Sequence, residues 1–287
     1  MRWSLSTSEQ FLAGFHDADP GVTSRAFAGL PARMAAATFA SSYECLAIAV
    51  PAGPGTVVDL ACGDGYLLSL LATRRQAGLA LIGVDLSAGE LDAARRRLGA
   101  AAVLHQARAQ ALPLADASAE TVLCHMALML MDDAPQVLEE VRRILKPGGV
   151  FAAVVSGGAA ASPAHDVFVS LLRQYRKLPE FESLRLGDGR LYTPEGIAGL
   201  FRPAFGQPAI DDIVLRQRCG PAGVWDWFRG LYNLAWLDPA DRAEIGPRFA
   251  QEVATLCDAD GKMEHIVRLR RIVTGGRIDA DGDRSCN

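Results

Sequence analysis

The 287-residue sequence contains none of the patterns that mark a membrane or secreted protein. No stretch of 18 apolar residues occurs, and "MRWSLSTSEQ" lacks the charged-then-apolar order of a signal peptide. The six cysteines form no C-x-x-C pair, and several lie in apolar runs, which favours reduced, buried thiols over a disulfide or zinc framework. These absences predict a cytoplasmic protein with no membrane partner.

The sequence also lacks an excess of basic residues, since its formal net charge is −4. A chain that binds phosphate backbones usually carries a clear basic excess, so nucleic acid is disfavoured as a partner. Hydrophobic residues make up 50% of the chain. That is enough to bury the core of one large domain or of a domain with an added cap. No pattern indicates an oligomeric state.

The spacing of apolar residues divides the chain into segments. Residues 1–50 have helix-like spacing, whereas residues 51–156 alternate short apolar strands with amphipathic helices. Such alternation predicts βαβ units and a parallel sheet covered on both faces. Residues 157–275 are predicted to add the remaining strands with inserted cap helices, and the polar residues 276–287 to be disordered. The expected fold is α/β, a doubly wound, mostly parallel sheet with an N-terminal helical lid and a C-terminal helical cap.

The stretch "VVDLACGDGYLLSLLA", residues 57–72, joins the first predicted strand to a helix through a glycine-containing loop. In an open α/β sheet, ligands bind at such loops. A dinucleotide fingerprint needs a third glycine, but Leu68 occupies its position, and no G-K-[ST] follows to form a P-loop. Asp59 ends the strand, and its carboxylate would repel a pyrophosphate but would suit a ligand that presents an ammonium group.

The segment "DLACGDG" resembles motif I of the class I S-adenosylmethionine-dependent methyltransferases, with Ala61 in place of the first glycine. The resemblance extends over about residues 40–155 and includes the "LKPGG" turn. It implies that Asp59 answers the ammonium group of S-adenosylmethionine, directly or through water. It also implies that Cys62, Gly63 and Gly65 leave room for the backbone to contact the methionine part.

A second acid supports the same cofactor. Asp85 ends the next predicted strand, 20 residues after Gly65. An acid at this point can accept hydrogen bonds from both ribose hydroxyls. Leu86 would then pack on the adenine, so these residues predict the ribose and adenine part of the site.

The remaining cofactor contacts are implied by the "ARAQALPLADAS" stretch and its surroundings. Arg108 stands where the family commonly has an aspartate that reads the adenine amino group, and arginine has donors only. Adenine recognition is therefore assigned to the backbone of Ala109 and to the Gln110 side chain. Met126 and Tyr43 complete the predicted set. Tyr43 lies with Phe39 on the helix predicted before the first strand, where both residues either close over the cofactor or only pack.

The sequence offers one candidate general base and no metal site. His125 follows the fourth predicted strand, and an imidazole titrates near neutrality. It either accepts a proton or only lines the pocket, because many relatives drive methyl transfer by proximity alone. Asp132 and Asp133 resemble a helix N-cap followed by proline more than metal ligands, so no metal dependence is expected.

Aromatic and sulfur-containing side chains predict an apolar acceptor chamber. Trp225, Phe228, Tyr232 and Trp236 fall on one face of a predicted cap helix, which marks either a core stripe or a substrate wall. Methionines at 126, 129 and 131 would add an adaptable apolar surface. The predicted substrate contacts are Phe39, Met129, Trp225, Phe228 and Tyr232. The histidines at 16, 105, 165 and 265 are expected to be structural or exposed.

The resemblance implies methyl transfer from S-adenosylmethionine to a small, apolar or aromatic molecule at oxygen or carbon, in a setting such as natural-product biosynthesis. One alternative is a protein of this fold that binds the cofactor but catalyses a different step, such as a cyclisation. A nucleic-acid or protein methyltransferase is disfavoured, because no basic run and no N-P-P-Y-like stretch are present.

Overall fold

The computed structural model describes residues 5–158 and 162–275, which form a nine-stranded sheet of order β2-β1-β8-β9-β7-β6-β3-β4-β5. In chain order the strands are β1 (Ala32–Met34), β2 (Ala37–Phe39), β3 (Gly55–Leu60), β4 (Leu79–Asp85), β5 (Val103–Gln106), β6 (Ala119–His125), β7 (Leu145–Ser156), β8 (Ala209–Cys219) and β9 (Met263–Gly275).

Helices follow most of the strands. They are α1 (Thr7–Ala18), α2 (Val22–Phe27), α3 (Ser42–Ala47), α4 (Tyr66–Thr73), α5 (Ala88–Leu98), α6 (Ala134–Ile144), α7 (Pro163–Leu172), α8 (Pro194–Phe205), α9 (Pro221–Phe228), α10 (Tyr232–Ala235) and α11 (Pro239–Ala254).

The sheet has a parallel half and an antiparallel half. Strands β5, β4, β3, β6 and β7 pair in parallel, which confirms the prediction for the core of the fold. Strands β9, β8 and β1 pair antiparallel, so the outer part departs from the expected parallel sheet. The strand order reverses between β3 and β6, and the crevice at this switch point is where ligands bind in open α/β sheets.

The two faces of the sheet are covered by different helices, as a doubly wound fold requires. Buried residues of α3, α4 and α5 pack on one face, and those of α6 and α8 pack on the other. Helices α7, α9 and α11 form a third cluster around Phe168, Phe228 and Phe249. The cap therefore has a hydrophobic core of its own.

The N-terminal segment is only partly helical. The sequence pattern predicts helix through residues 28–50, but β1 and β2 form a hairpin there, with Ala35 at a φ of 51° in its turn. Strand β1 pairs with β8, where Ala32 lies opposite Leu215. Pairing with this open edge outweighs the helical spacing of the apolar residues. The helical prediction is wrong for residues 32–39, so Phe39 lies on β2 instead of a helix, but it is confirmed for α3, on which Tyr43 lies.

The predicted aromatic helix is also interrupted. Helix α9 ends at Phe228 and α10 begins at Tyr232, with the poor helix former Gly230 between them. Trp225 and Tyr232 therefore do not share one helical face. The predicted disordered tail, residues 276–287, lies outside the described residues. Within the described ranges, no helix combines the length and apolar character needed to cross a membrane.

Candidate cofactor and acceptor site

A cavity opens at the carboxyl ends of β3, β4 and β6, at the switch point of the sheet. It holds about 1050 Å³ of empty space including its open mouth. Helices α1 and α2 lie along its other side. Its lining includes Asp59, Gly63, Asp85, His125 and Tyr232, so the switch point brings together residues from both ends of the chain.

Asp59 is a buried carboxylate in the wall of this cavity. Asp59 is 2% exposed. No arginine, lysine or histidine of the described chain forms an ion pair with its carboxylate. Burial raises its pKa well above the usual value, and the charges of Asp85 and Asp64 raise the pKa further. A cationic group in the cavity would relieve this unfavourable burial of negative charge.

Asp85 is held in place by two backbone groups. Its Oδ2 accepts the Gly63 N–H at 2.8 Å, and its Oδ1 accepts the Ser87 N–H at 2.9 Å. Burial raises the pKa of Asp85, whereas these two hydrogen bonds lower it. Each carboxylate oxygen has a second lone pair. Asp85 can therefore still accept two hydroxyl groups, as a ribose requires, while it fixes the loop.

The loop between β3 and α4 turns through left-handed backbone conformations. Ala61 has a φ of 58° at the position where the family motif has its first glycine. Gly65 has a φ of 76°, and a Cβ there would lie 2.7 Å from Leu98. Gly65 thus lets α4 begin against α5, while Cys62 and Gly63 line the cavity. The glycine pattern follows from close packing and from backbone conformation.

The cavity wall carries more acidic than basic groups. The charge of Arg108 is already paired, because its guanidinium forms an ion pair with the Glu9 carboxylate of α1 at 2.8 Å. The acidic residues in the lining are Glu9, Asp59, Asp64, Asp85, Glu90 and Asp132. A low-dielectric cleft of one sign concentrates ligands of the opposite charge. S-adenosylmethionine carries an ammonium and a sulfonium, so the residues present fit this cofactor.

The predicted adenine contacts lie together on one side of the cavity. Leu86, Arg108, Ala109 and Gln110 all belong to its lining. The Gln110 side chain already donates to the Asp132 carbonyl at 2.6 Å. The backbone of Ala109 and the Leu86 side chain are then the more available groups for adenine, and this assignment stays a prediction.

His125 packs with the predicted cofactor residue Tyr43. Their ring centroids lie 3.7 Å apart in a stacked arrangement, and the Ser42 hydroxyl is 2.9 Å from His125 Nε2. Both rings belong to the cavity lining. Burial lowers the pKa of His125 to about 3. An imidazole of such low basicity is a poor proton acceptor near pH 7, which favours the packing alternative over the base hypothesis.

The burial of His125 predicts a specific acid sensitivity. Unfolded His125 would titrate near 6.5, so between about 3 and 6.5 the unfolded state binds the proton and the folded state does not. Stability therefore falls as the pH falls through this window. His125→Phe keeps an aromatic ring without the proton site. Between pH 7 and pH 5, the free energy of unfolding of this variant should fall by about 2 kcal/mol less than that of the wild type. Urea unfolding at the two pH values measures the difference.

The control for this measurement is His105→Asn, because His105 lies on the edge strand β5, separated from β6 by β3 and β4. It should leave the difference between the two pH values unchanged. Equal losses in His125→Phe and the wild type would show that His125 is not responsible. Any offset from the lost Ser42 contact is the same at both pH values and does not enter the comparison.

Of the five predicted substrate contacts, the structure brings only Tyr232 to the cavity. Phe228 is buried in the cap cluster, with Trp225 packed against that cluster. Met129 is buried in the sheet core, and Phe39 packs on the other face of the sheet. The break between α9 and α10 explains why Trp225 and Phe228 differ from Tyr232. It turns Tyr232 toward the cavity and leaves α9 in the core of the cap. Met126 and Met131 do line the cavity.

The acidic pair after β6 has structural partners. Asp133 caps α6 by accepting the Gln136 N–H, and Asp132 accepts hydrogen bonds from Ser6 and Ser8. Across residues 5–158 and 162–275, no group of three or more histidine, cysteine, aspartate or glutamate side chains has a metal-binding arrangement.

The sequence alone did not indicate three contributors to the cavity. Glu90 and His16 lie in its wall, and Ser24 of α2 donates to Asp64 there at 2.7 Å. The pattern Ser87-x-x-Glu90 resembles a capping box, and Ser87 does accept the Glu90 N–H. The Glu90 side chain instead accepts the Gly21 N–H at 2.8 Å. His16, expected to be structural or exposed, is partly buried at the cavity.

Comparisons with known proteins agree with this geometry. Residues 58–153 match the sequence family described as a methyltransferase domain. A demethylmenaquinone methyltransferase from Symbiobacterium thermophilum is 36% identical over 100 residues, which are 33% of this chain and 40% of that protein. A trans-aconitate 2-methyltransferase from Methylobacterium nodulans is 27% identical over 213 residues, or 72% of this chain and 80% of that protein.

The aligned regions cover between 18% and 43% of the length of the first four curated relatives. Among solved structures, the cyclase SpnF superposes with a TM-score of 0.53 at 17% identity, over 96% of this chain and 98% of that one. This likeness shows the fold. The matched residues 58–153, which contain the Asp59 loop and Asp85, therefore identify this part of the chain as a methyltransferase domain of the class I S-adenosylmethionine-dependent type.

Proposed function

We propose that this chain transfers a methyl group from S-adenosylmethionine to a small apolar or aromatic acceptor, at a hydroxyl oxygen or a carbon atom. The observation that carries the proposal is the pair of carboxylates, the buried Asp59 and the partly buried Asp85, in the wall of one cavity at the switch point of the sheet. Asp59 lacks an ion-pair partner among the described residues, and Asp85 keeps free lone pairs. A single ligand with an ammonium group and a ribose would supply a cationic partner for Asp59 and hydroxyl donors for Asp85.

The residues of the cavity would divide the cofactor between them. Asp59 would bind the ammonium group, Asp85 the ribose hydroxyls, and Leu86 the adenine face. When bound, S-adenosylmethionine supplies an electrophilic methyl group on a positively charged sulfur. Because that charge disappears during transfer, a dry chamber favours the reaction. The chain contributes binding, orientation and exclusion of water.

The acceptor would enter from the side of the cavity that is lined by apolar groups. The apolar part of the lining includes Leu12 and Ala13 of α1 together with Met126, Leu130 and Met131, which follow β6. A second opening, bordered by Leu130, Tyr232 and Trp236, adjoins it. The names of two relatives, a demethylmenaquinone methyltransferase and a trans-aconitate methyltransferase, both concern small molecules. This supports a small-molecule acceptor over a macromolecule.

We place the enzyme in the cytoplasm. Five cysteines of the described chain are free thiols, at positions 45, 62, 124, 219 and 257. Free thiols persist in a reducing compartment.

The experiment that tests the proposal follows a labelled methyl group. The full chain is incubated with methyl-13C S-adenosylmethionine and a panel of phenols, hydroquinones and hydroxylated terpenoids, and products are identified by mass spectrometry. S-adenosylhomocysteine should form in equal amount with a product that carries the label. An Asp59→Ala, Asp85→Ala double variant serves as the inactive control.

Two results would contradict the proposal in different ways. Conversion of an acceptor without S-adenosylhomocysteine would support the alternative in which the bound cofactor does not donate its methyl group, as in a cyclisation. Failure of the wild type to bind S-adenosylhomocysteine at millimolar concentration would refute the cofactor site itself.

A further inference from the structure

Three polar side chains form a continuous hydrogen-bonded chain in the wall of the cavity. Glu90 Oε1 lies 2.8 Å from His16 Nδ1, and His16 Nε2 lies 2.8 Å from the Tyr232 hydroxyl. The three residues come from α5, α1 and α10. His16 and Tyr232 lie outside residues 58–153, so the family match gives them no role.

The position of each proton follows from the partners. Glu90 Oε2 accepts the Gly21 N–H at 2.8 Å, so both carboxylate oxygens act as acceptors. A carboxylate has nothing to donate, and His16 Nδ1 must therefore carry the proton of the first bond. In the neutral imidazole, His16 Nε2 is then the acceptor, which makes Tyr232 the donor of the second bond. The Tyr232 oxygen keeps its own lone pairs for another partner.

The surroundings keep Tyr232 in its neutral form. Its ring packs against Phe15, with centroids 4.6 Å apart, and against Phe11. Burial raises its pKa, and the negative charges of Glu90 and Asp85 raise it further. Tyr232 is thus suited to pass a proton on rather than to act as a phenolate. It borders both the cofactor cavity and the second opening, where an acceptor would pass.

We propose that Tyr232, His16 and Glu90 form a relay that removes the proton from a hydroxyl acceptor as the methyl group is transferred. The inference rests on the proposed function. Tyr232 would touch the acceptor, His16 would hold the proton, and Glu90 would position the imidazole and stabilise its positive charge, the arrangement by which carboxylates assist histidine bases elsewhere. His125 is less suited to this task because burial lowers its pKa to about 3.

The step balances as a proton transfer coupled to substitution. The acceptor O–H bond breaks and its proton joins the Tyr232 oxygen, while the Tyr232 proton moves to His16 Nε2. The acceptor oxygen forms the new bond to the methyl carbon, and the bond between that carbon and sulfur breaks with its electron pair on sulfur. His16 ends as an imidazolium beside Glu90 and loses its proton to solvent after product release.

The charged groups around His16 would stabilise the imidazolium that forms during transfer. Glu90 faces it from α5, Asp85 from the end of β4, and Tyr232 from α10. On its own helix, Asp17 is engaged elsewhere, because it accepts from Ser87 at 2.6 Å and from the Gly89 N–H at 2.8 Å.

The test compares two acceptor probes of different acidity. Phenol ionises near pH 10, as tyrosine does, and needs a base at neutral pH. The nitro group of 4-nitrophenol stabilises the phenolate, so this probe is largely ionised near neutral pH and needs none. His16→Asn and Tyr232→Phe should lower kcat for phenol by about 100-fold or more and change kcat for 4-nitrophenol by less than about threefold. Glu90→Gln should act in the same direction.

The matched controls are His165→Asn and Tyr175→Phe, which lie on the cap away from the cavity. Both should leave kcat for each probe unchanged. Titration of S-adenosylhomocysteine into every variant separates chemistry from folding, and relay variants should bind it within about threefold of the wild type.

Each remaining outcome has a defined meaning. If the wild type methylates neither probe although it binds S-adenosylhomocysteine, the proposed methylation of aromatic hydroxyls fails, and the relay fails with it. A second outcome is that the wild type methylates both probes and the variants lose the same fraction of activity with each. The three residues would then only hold α1 in place. The relay would be refuted, and the proposed methylation would stand. Independently of any acceptor, NMR of 15N-histidine protein with S-adenosylhomocysteine should show the Nδ1–H form of His16. An Nε2–H form would also refute the relay.

Discussion

Replacing Asp85 with alanine is expected to raise the Kd for S-adenosylhomocysteine by at least about 100-fold, or about 2.7 kcal/mol. The variant loses the acceptors for two ribose hydroxyls, each a charge-assisted hydrogen bond. It also releases the N–H groups of Gly63 and Ser87, which Asp85 holds at 2.8 and 2.9 Å. The loop that should contact the methionine part is then no longer fixed.

Isothermal titration calorimetry measures this loss, and circular dichroism checks that the variant is folded. The matched control is Asp92→Ala, which removes a carboxylate from α5, the helix that follows β4. Asp92 is 63% exposed, and within the described residues it pairs only with Arg95 on the surface, so its loss should not change the Kd. A folded Asp85→Ala protein with a Kd within threefold of the wild type would exclude Asp85 from the cofactor site.

Replacing Gly65 with alanine is expected to lower the free energy of unfolding by about 3 kcal/mol. Gly65 has a φ of 76°, and a Cβ there would lie 2.7 Å from Leu98 and 3.2 Å from Ala94. Part of the loss is the strain of a left-handed alanine, which costs about 1 kcal/mol. The rest is the displacement of α5 side chains from the first helix of the cofactor loop.

Gly148→Ala separates these two causes. Gly148 also has a φ of 76°, but nothing lies within 4 Å of the position of its Cβ. Urea unfolding of both variants should give a loss of about 1 kcal/mol for Gly148→Ala and the larger loss for Gly65→Ala. Equal losses would show that backbone strain alone accounts for the glycine at 65 and that α4 and α5 are not tightly packed there.

The parts of the site that could be predicted from sequence lie on consecutive elements. Asp85 ends β4 and Asp59 lies one residue before the end of β3, and neighbouring parallel strands place their carboxyl ends at one edge. Their spacing therefore fixes their proximity without knowledge of the rest of the chain. The loop glycines follow the same logic, because a tight strand-to-helix turn imposes its backbone conformation locally.

His16 and Tyr232 could not be placed in the same way. They are separated by 216 residues and meet only because α1 and α10 both lie against the cavity. From the sequence, His16 is expected to be structural or exposed, and Tyr232 is expected to belong to a stripe of aromatic residues. Interpretation of the stripe failed because a helical wheel assumes an unbroken helix, and α9 ends four residues before Tyr232.

The hairpin at the other edge of the sheet illustrates a second limit. Residues 32–39 carry helix-like spacing but pair with β8 as strands. The pairing depends on an open strand edge that forms only when β8 and β9, more than 170 residues later, have assembled. Local propensity is weak against such tertiary contacts.

The lid and the acidic cavity wall are coupled. Helices α1 and α2 contact the wall through the Glu9–Arg108 pair, the His16–Glu90 pair and the hydrogen bond from Ser24 to Asp64. Asp59 belongs to the same cavity wall and is a buried carboxylate whose pKa is raised by burial. A bound cation would therefore offset the negative charge of the wall that α1 and α2 contact.

The central claim, that this cavity binds S-adenosylmethionine through Asp59 and Asp85, is tested most directly by a crystal structure of the protein with S-adenosylhomocysteine. The account predicts that the ammonium group lies within hydrogen-bonding or one-water distance of Asp59 and that both ribose hydroxyls contact Asp85. It also predicts that Tyr232 and His16 lie on the side of the sulfur open to the acceptor. A ligand bound elsewhere, or one with its ammonium group turned away from Asp59, would contradict the account.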